Sequence, residues 1–270
     1  MPSRPSPTAA RTRTGVLLAS VGALLSAGAL HPAPAAAASA PAPSPHATAA
    51  VLDLDGAGRT PVVHGKDSAY DTASIVKVDI LATLLLQAQD AGRRLTADER
   101  GRAEPMIERS DNTAANALWR QIGRAPGLAA ANKRLGLTST TGGPGVTWGL
   151  TRTTASDQIR LLRAVFDGGT PARSGSGGLT AESRAYIRTL MGHVVPEQAW
   201  GVSAAGGPGS ARALKNGWLQ RGPSGLWDVN SVGQVTVKGH RCLVAVLSNG
   251  SASMGDGISL VEKTARRALA

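Results

Sequence analysis

The chain has 270 residues, 42% of them apolar, enough to bury the core of one fair-sized domain or two small ones. Aromatic residues make up only 3%, so Ala, Val, Leu and Ile must fill that core. The net charge is +11, but no Lys/Arg run is interleaved with aromatics and no zinc-finger or RNA-binding signature occurs, which speaks against nucleic acid as a partner.

Residues 1–40 read as a secretory signal. Arg4, Arg11 and Arg13 form a positive start, 15–30 an apolar stretch, and 35–40 a run of small residues suited to cleavage. The apolar stretch falls short of the about 20 residues a spanning helix needs, so no stable membrane insertion is expected once the signal is removed. The remaining chain stays basic, which fits association with an anionic cell envelope. Residues 41–48, rich in Pro and Ala, read as a linker, and 49–270 as the folded domain.

Within that domain, 49–54 and 61–64 read as strands around the turn Asp55-Gly56-Ala57-Gly58. Residues 72–91 read as a helix, apolar on most sides through Ile75, Val78, Ile80, Leu81, Leu84 and Leu85, and therefore largely buried. Helical pattern runs on over 97–122 with a break near Ser110. Residues 138–153 are Gly- and Thr-rich and read as loop. Helices follow at 156–166 and 180–191, joined by a connector at 173–178. The period then changes to strands at 211–218, 226–236 and 242–248, closed by a helix at 258–269. The lone Cys242 lies in the apolar run of the last strand, where a buried, inert thiol is expected. Strands at both chain ends with helices between predict an α+β fold. An antiparallel sheet built from both ends would be flanked by helices, with a mostly helical subdomain beside it.

Three patches carry chemistry. Ser74-Ile75-Val76-Lys77 is the only Ser-x-x-Lys in the chain. Three residues apart on a helix, the two side chains share a face, so a lysine of lowered pKa can take the proton of the serine hydroxyl. Ser74 near a helix start also aims its backbone N–H at a developing oxyanion. Ser110-Asp111-Asn112 interrupts a helical stretch. It offers a hydroxyl for proton relay and an amide for substrate, although Ser, Asp and Asn are equally the preferred helix caps. Lys215-Asn216-Gly217-Trp218 ends a strand. Lys215 supplies a cation, Gly217 permits close approach, and Trp218 a backbone N–H; a plain strand end reads the same way.

In this order the three patches resemble the penicillin-recognising serine enzymes, the superfamily of class A β-lactamases and penicillin-binding proteins, with K-N-G in place of K-T-G. Tyr70-Asp71-Thr72-Ala73-Ser74, Ser110-Asp111-Asn112-Thr113-Ala114-Ala115-Asn116 and Thr151-Arg152-Thr153-Thr154 extend the likeness over about 49–269. The resemblance implies a β-lactamase/transpeptidase-like fold and an exported serine hydrolase acting on a small-molecule β-lactam or a peptide. It implies Ser74 as acylated nucleophile, Lys77 as base and Ser110 as proton shuttle. Asn112 would bind substrate amide, Lys215 and Asn216 the substrate carboxylate, and Gly217 and Trp218 would line the oxyanion side. No cofactor or metal is implied.

One departure bears on the reaction. Class A enzymes carry a loop Glu that positions the deacylating water. Residues 113–156 hold no Asp or Glu, and the first acid is Asp157. The sequence therefore leaves two readings open: a β-lactamase, or a penicillin-binding D,D-peptidase or binding protein that releases its acyl group slowly.

Overall fold

The computed structural model describes residues 44–167, 177–207 and 209–270. The signal expected at 1–40 and most of the 173–178 connector lie outside the described residues. Residues 42–270 form one compact unit.

Five strands build the main sheet: β1 (His46–Asp53), β2 (Val62–His64), β5 (Arg212–Gln220), β6 (Trp227–Val237) and β7 (His240–Ser251), all antiparallel, in the order β2-β1-β7-β6-β5. The first strand thus pairs with the last, as expected from strands at both chain ends. β1 begins earlier than the sequence suggests. His46, Ala47 and Thr48, expected in the linker, pair with Asn249, Ser248 and Leu247, because β7 is long enough to offer them partners.

The two-residue alternation of strands sorts side chains into two cores. Ala50, Leu52, Leu243, Ala245 and Leu247 face the helices α1 (Val76–Asp90), α2 (Ala97–Glu108), α3 (Asn112–Gln121), α4 (Arg124–Leu135), α5 (Ala155–Phe166) and α6 (Ala181–Gly192). Ala49, Val51, Cys242, Val244 and Val246 face α7 (Met254–Ala268) through Val261 and Ala265. This explains the unbroken apolar run of β7: the strand is covered on both faces. Cys242 is buried there and burial pushes its thiol up to about 11, so it stays protonated.

Most helices start at the residue types that favour caps. Thr96 and Glu99 form a reciprocal capping box, and Thr154, Thr180 and Ser253 accept from Asp157, Ser183 and Asp256. Two starts are hidden in the sequence. α4 carries Pro126 and Gly127 in its first turn, where proline is tolerated but periodicity is masked. α7 begins four residues before the expected 258 because Ser253 caps a turn containing Gly255 and Gly257. The expected loop at 138–153 contains a 3-10 turn, Trp148–Leu150, and β4 (Arg152–Thr153), which pairs with β3 (Tyr70–Asp71).

Candidate active site

The chain before Ser74 is held under strain. Ala73 has φ 46°, the left-handed region that a residue with Cβ avoids at a cost of about 1–2 kcal/mol. The neighbours hold it there. Asn230 on β6 donates its amide to Asp71 O (2.8 Å) and Thr72 O (3.1 Å), and Thr72 N donates to Thr151 O (2.8 Å). Asp71 is further gripped by Arg152 and Arg221. Ser74 then sits in a 3-10 turn, Ala73–Ile75, leading into α1, rather than inside one continuous helix from 72.

Gly217 on edge strand β5 lies against this turn. A Cβ on Gly217 would fall 2.6 Å from Ser74 N and 2.8 Å from Ile75 N, so only glycine lets the strand reach the Ser74 backbone. The sheet edge and the helix start thereby pack directly against each other beside Ser74.

Lys77 is fully buried. Its amine donates to Ser110 O (2.7 Å), Ser110 Oγ (3.1 Å) and Asn112 Oδ1 (2.8 Å). The expected meeting of Ser74 and Lys77 is therefore not a direct hydrogen bond; the amine is turned towards the second motif. Burial pushes it down to about 7, against a smaller opposing pull from Asp111. A neutral amine near pH 7 can accept a proton, and the Ser110 hydroxyl beside it can pass one on.

In the second motif the helix cap is present, and its neighbours meet Lys77. Asp111 caps α3, its Oδ1 accepting from Ala114 N at 2.7 Å. Ser110, at φ 58°, and Asn112 flank the cap and converge on Lys77. The cap is what fixes their directions.

The third motif divides by strand alternation. Lys215 and Gly217 point to the helical side, Asn216 and Trp218 to the α7 side. Lys215 is fully buried and donates to Asn216 O (3.0 Å) and Gln198 Oε1 (3.5 Å). Burial, and then repulsion from Lys77, lower its amine well below the ordinary lysine value. The Asn216 amide is spent on Gln198 O (2.8 Å) and Trp200 O (3.0 Å), so it is not free to meet a substrate carboxylate as the sequence suggested. The Trp218 ring packs on Trp200 with centroids 5.9 Å apart.

The loop that lacks an acid places Trp148 over Lys77. The ring centroid lies 4.7 Å from Nζ, and the indole N–H donates to Asn116 Oδ1 at 2.7 Å. The loop is fixed by Trp119 Nε1 donating to Gly145 O at 2.9 Å. Asp157, the first acid after the second motif, is fully buried and accepts from Ser139 N and Thr140 Oγ1, each at 2.7 Å. It braces the loop from the start of α5. Sequence reasoning missed Trp148, Asn230 and Gln198. For Trp148 a signal existed: a large aromatic in a Gly-rich loop of an aromatic-poor chain.

Solved structures share this architecture. PBP-A superposes with a TM-score of 0.69 at 21% identity over 86% of this chain and 91% of its own. The TLA-3 extended-spectrum beta-lactamase gives 0.70 at 14%, over 83% and 91%. A beta lactamase from Xanthomonas campestris gives 0.68 at 17%, over 83% and 91%. At such identities the likeness is one of fold: the sheet-and-helix fold of the penicillin-recognising serine enzymes. The family model described as the beta-lactamase enzyme family matches residues 100–270, and the chain belongs to that family. The match starts after the Ser74–Lys77 segment. Among curated proteins, LppW of Mycobacterium tuberculosis, a candidate lipoprotein by name, is 29% identical over 178 residues. The chain spans about half the length of that relative, 54%, and the match covers 64% of this chain.

Proposed function

We propose that the chain is an exported serine acyl-transfer enzyme that is acylated at Ser74 by a β-lactam or a related amide and releases the acyl group slowly. In this reading Lys77, neutral at about pH 7, takes the Ser74 proton directly or through Ser110. Ser110 returns it to the leaving nitrogen. The backbone N–H groups of Ser74 and Trp218 receive the oxyanion, Asn112 binds the substrate's side-chain amide through the NH2 that Lys77 leaves unused, and Lys215 attracts its carboxylate.

Slow release is supported by one observation above the others. The space over Lys77 is filled by the Trp148 indole, and the loop that carries it has no carboxylate to activate water. Positioned general bases are worth about 100- to 10,000-fold, so their lack leaves a long-lived ester. A variant of PBP-A, a fold relative, is known as an acyl-enzyme with penicillin G. Intact mass spectrometry after exposure to penicillin G tests the reading: one stable adduct is expected, lost in Ser74→Ala. No adduct would sink it. Steady turnover of nitrocefin would instead favour a β-lactamase, the reading that the family description supports. Release of D-Ala from a cell-wall stem peptide would identify the D,D-peptidase form. Export is tested by the N-terminus of the protein recovered from the medium. The chain's one cysteine is Cys242, so 1–40 offers no thiol for lipid attachment.

A further inference from the structure

The turn that presents Ser74 is held partly from far along the chain. Ala73, at φ 46°, keeps its left-handed form only while its neighbours are fixed. Asn230 holds the carbonyls of Asp71 and Thr72. Arg152 sits opposite Asp71 in the β3–β4 pair, so its ion pair with Asp71 stays within that small sheet. Arg221 reaches in from outside it. It follows β5 directly, 150 residues beyond Asp71, and its guanidinium donates to the Asp71 carboxylate. Its own backbone is fixed by the β5–β6 turn: Arg221 N donates to Leu226 O and Gly225 N to Arg221 O, each at 2.8 Å.

Arg221 also lies between two acids. Asp71 and Asp228 are both buried, and Arg221 Nε is 4.0 Å from Asp228 Oδ2. Burial raises the Asp228 carboxyl to about 6, against the pull of Arg221 and with a further push from Asp71. Without the guanidinium the two acids would lose the cation between them, and like charge would push Asp71 away from β6. Asp71 stands two residues before Ala73, so its displacement acts on the strained residue.

We propose that Arg221 is a positioning residue: its ion pair with Asp71 ties the β5–β6 turn to the segment before Ser74 and keeps Ala73 in the left-handed form that sets the direction of Ser74. The turn relaxes when the tie is cut. A residue without Cβ at position 73 makes the tie unnecessary, since glycine takes positive φ freely. The inference rests on the reading of Ser74 as nucleophile for its effect on acylation, but not for the hold on the turn.

Stopped-flow acylation by penicillin G, taken to saturation, separates the dissociation constant from the rate constant of the chemical step. Arg221→Ala should lower the rate constant by about 5- to 30-fold, the equilibrium factor of left-handed strain at one residue, and leave the dissociation constant within about twofold. In an Ala73→Gly background the same substitution should cost less than about threefold. An unchanged rate constant in Arg221→Ala, a loss carried by the dissociation constant, or a loss of the same size in both backgrounds overturns the proposal. Hydrogen exchange of the 70–77 segment, read by mass spectrometry, needs no reactive serine. The segment contains Thr72 N, bonded to Thr151 O at 2.8 Å, and Ile75 N, bonded to Thr72 O at 3.3 Å. It should exchange faster in Arg221→Ala and return towards the parent rate when Ala73→Gly is added. Failure of the wild type to be acylated, beside this exchange pattern, removes Ser74 as the nucleophile and leaves the tie standing. Equal exchange with and without Arg221 overturns the tie itself.

Discussion

At the scale of single residues, the site depends on two buried amines. In the proposed reaction the useful form of Lys77 is the neutral one, since only a free lone pair accepts the Ser74 proton. Its amine is lowered to about 7, so the rate of acylation should rise with pH through about 7 and fall away below it as the amine becomes charged. Stopped-flow acylation by penicillin G across pH 5–9 reads this directly; a flat profile would remove Lys77 as the base. Trp148 should set where that midpoint lies. Burial is the largest cause of the lowered value, and the indole lies over the amine at 4.7 Å. Trp148→Ala admits water to the ammonium and should move the midpoint upward, whereas Trp148→Phe keeps a ring over the amine and should hold it. An unmoved midpoint in the alanine variant would show that the ring has no part in it.

At the scale of elements, β5 and the start of α1 must fit closely. Gly217→Ala puts a methyl group 2.6 Å from Ser74 N, and overpacking of this kind costs about 1–3 kcal/mol. The strand would step back from Ser74, so penicillin labelling should fall by more than tenfold while far-UV circular dichroism stays unchanged. α1 also carries a buried acid, Asp79, raised to about 8 by burial, with Thr83 Oγ1 bonded to its carbonyl at 2.8 Å. The Asn132 amide, turned nitrogen-inward, donates to both its carboxylate oxygens at 3.0 Å. Between an unfolded value near 3.8 and a folded value near 8, the native state holds the extra proton. Stability is therefore full below the unfolded value and is lost as pH rises towards 8. Asp79→Asn has no proton to lose, so its melting temperature relative to wild type should climb from pH 5 to pH 9. A constant difference would show that Asp79 does not titrate in this window.

At the scale of the whole molecule, β7 holds both cores together. Leu247 is fully buried between β1 and β6, on the helical side. Leu247→Ala should cost about 2–5 kcal/mol in chemical denaturation. Below the transition it should still be labelled at Ser74, because the strand packed against Ser74 is β5 and not β7. Loss of labelling in the folded variant would mean that the two ends of the sheet are coupled.

Much of this was legible in the chain itself. Side-chain type and spacing are local properties, so Ser74-x-x-Lys77, Ser110-Asp111-Asn112 and Lys215-Asn216-Gly217 could be read as a set. The change from a helical to a two-residue period marked the sheet as built from both ends. Alternation along β5 even required that Lys215 and Asn216 face opposite ways. Which of the two lies on the side of Lys77 was decided by tertiary packing, since it depends on where α7 and the 196–205 segment lie. The same holds for the partner of Lys77. Helical spacing put it near Ser74, but the amine turns to Ser110 and Asn112, which are brought there by the Asp111 cap and the packing of α2 and α3. Trp148, Gln198 and Asn230 act across gaps of 71, 17 and 158 residues. No local pattern encodes contacts at that range. They exist only once burial of two apolar faces has fixed the sheet between its helices.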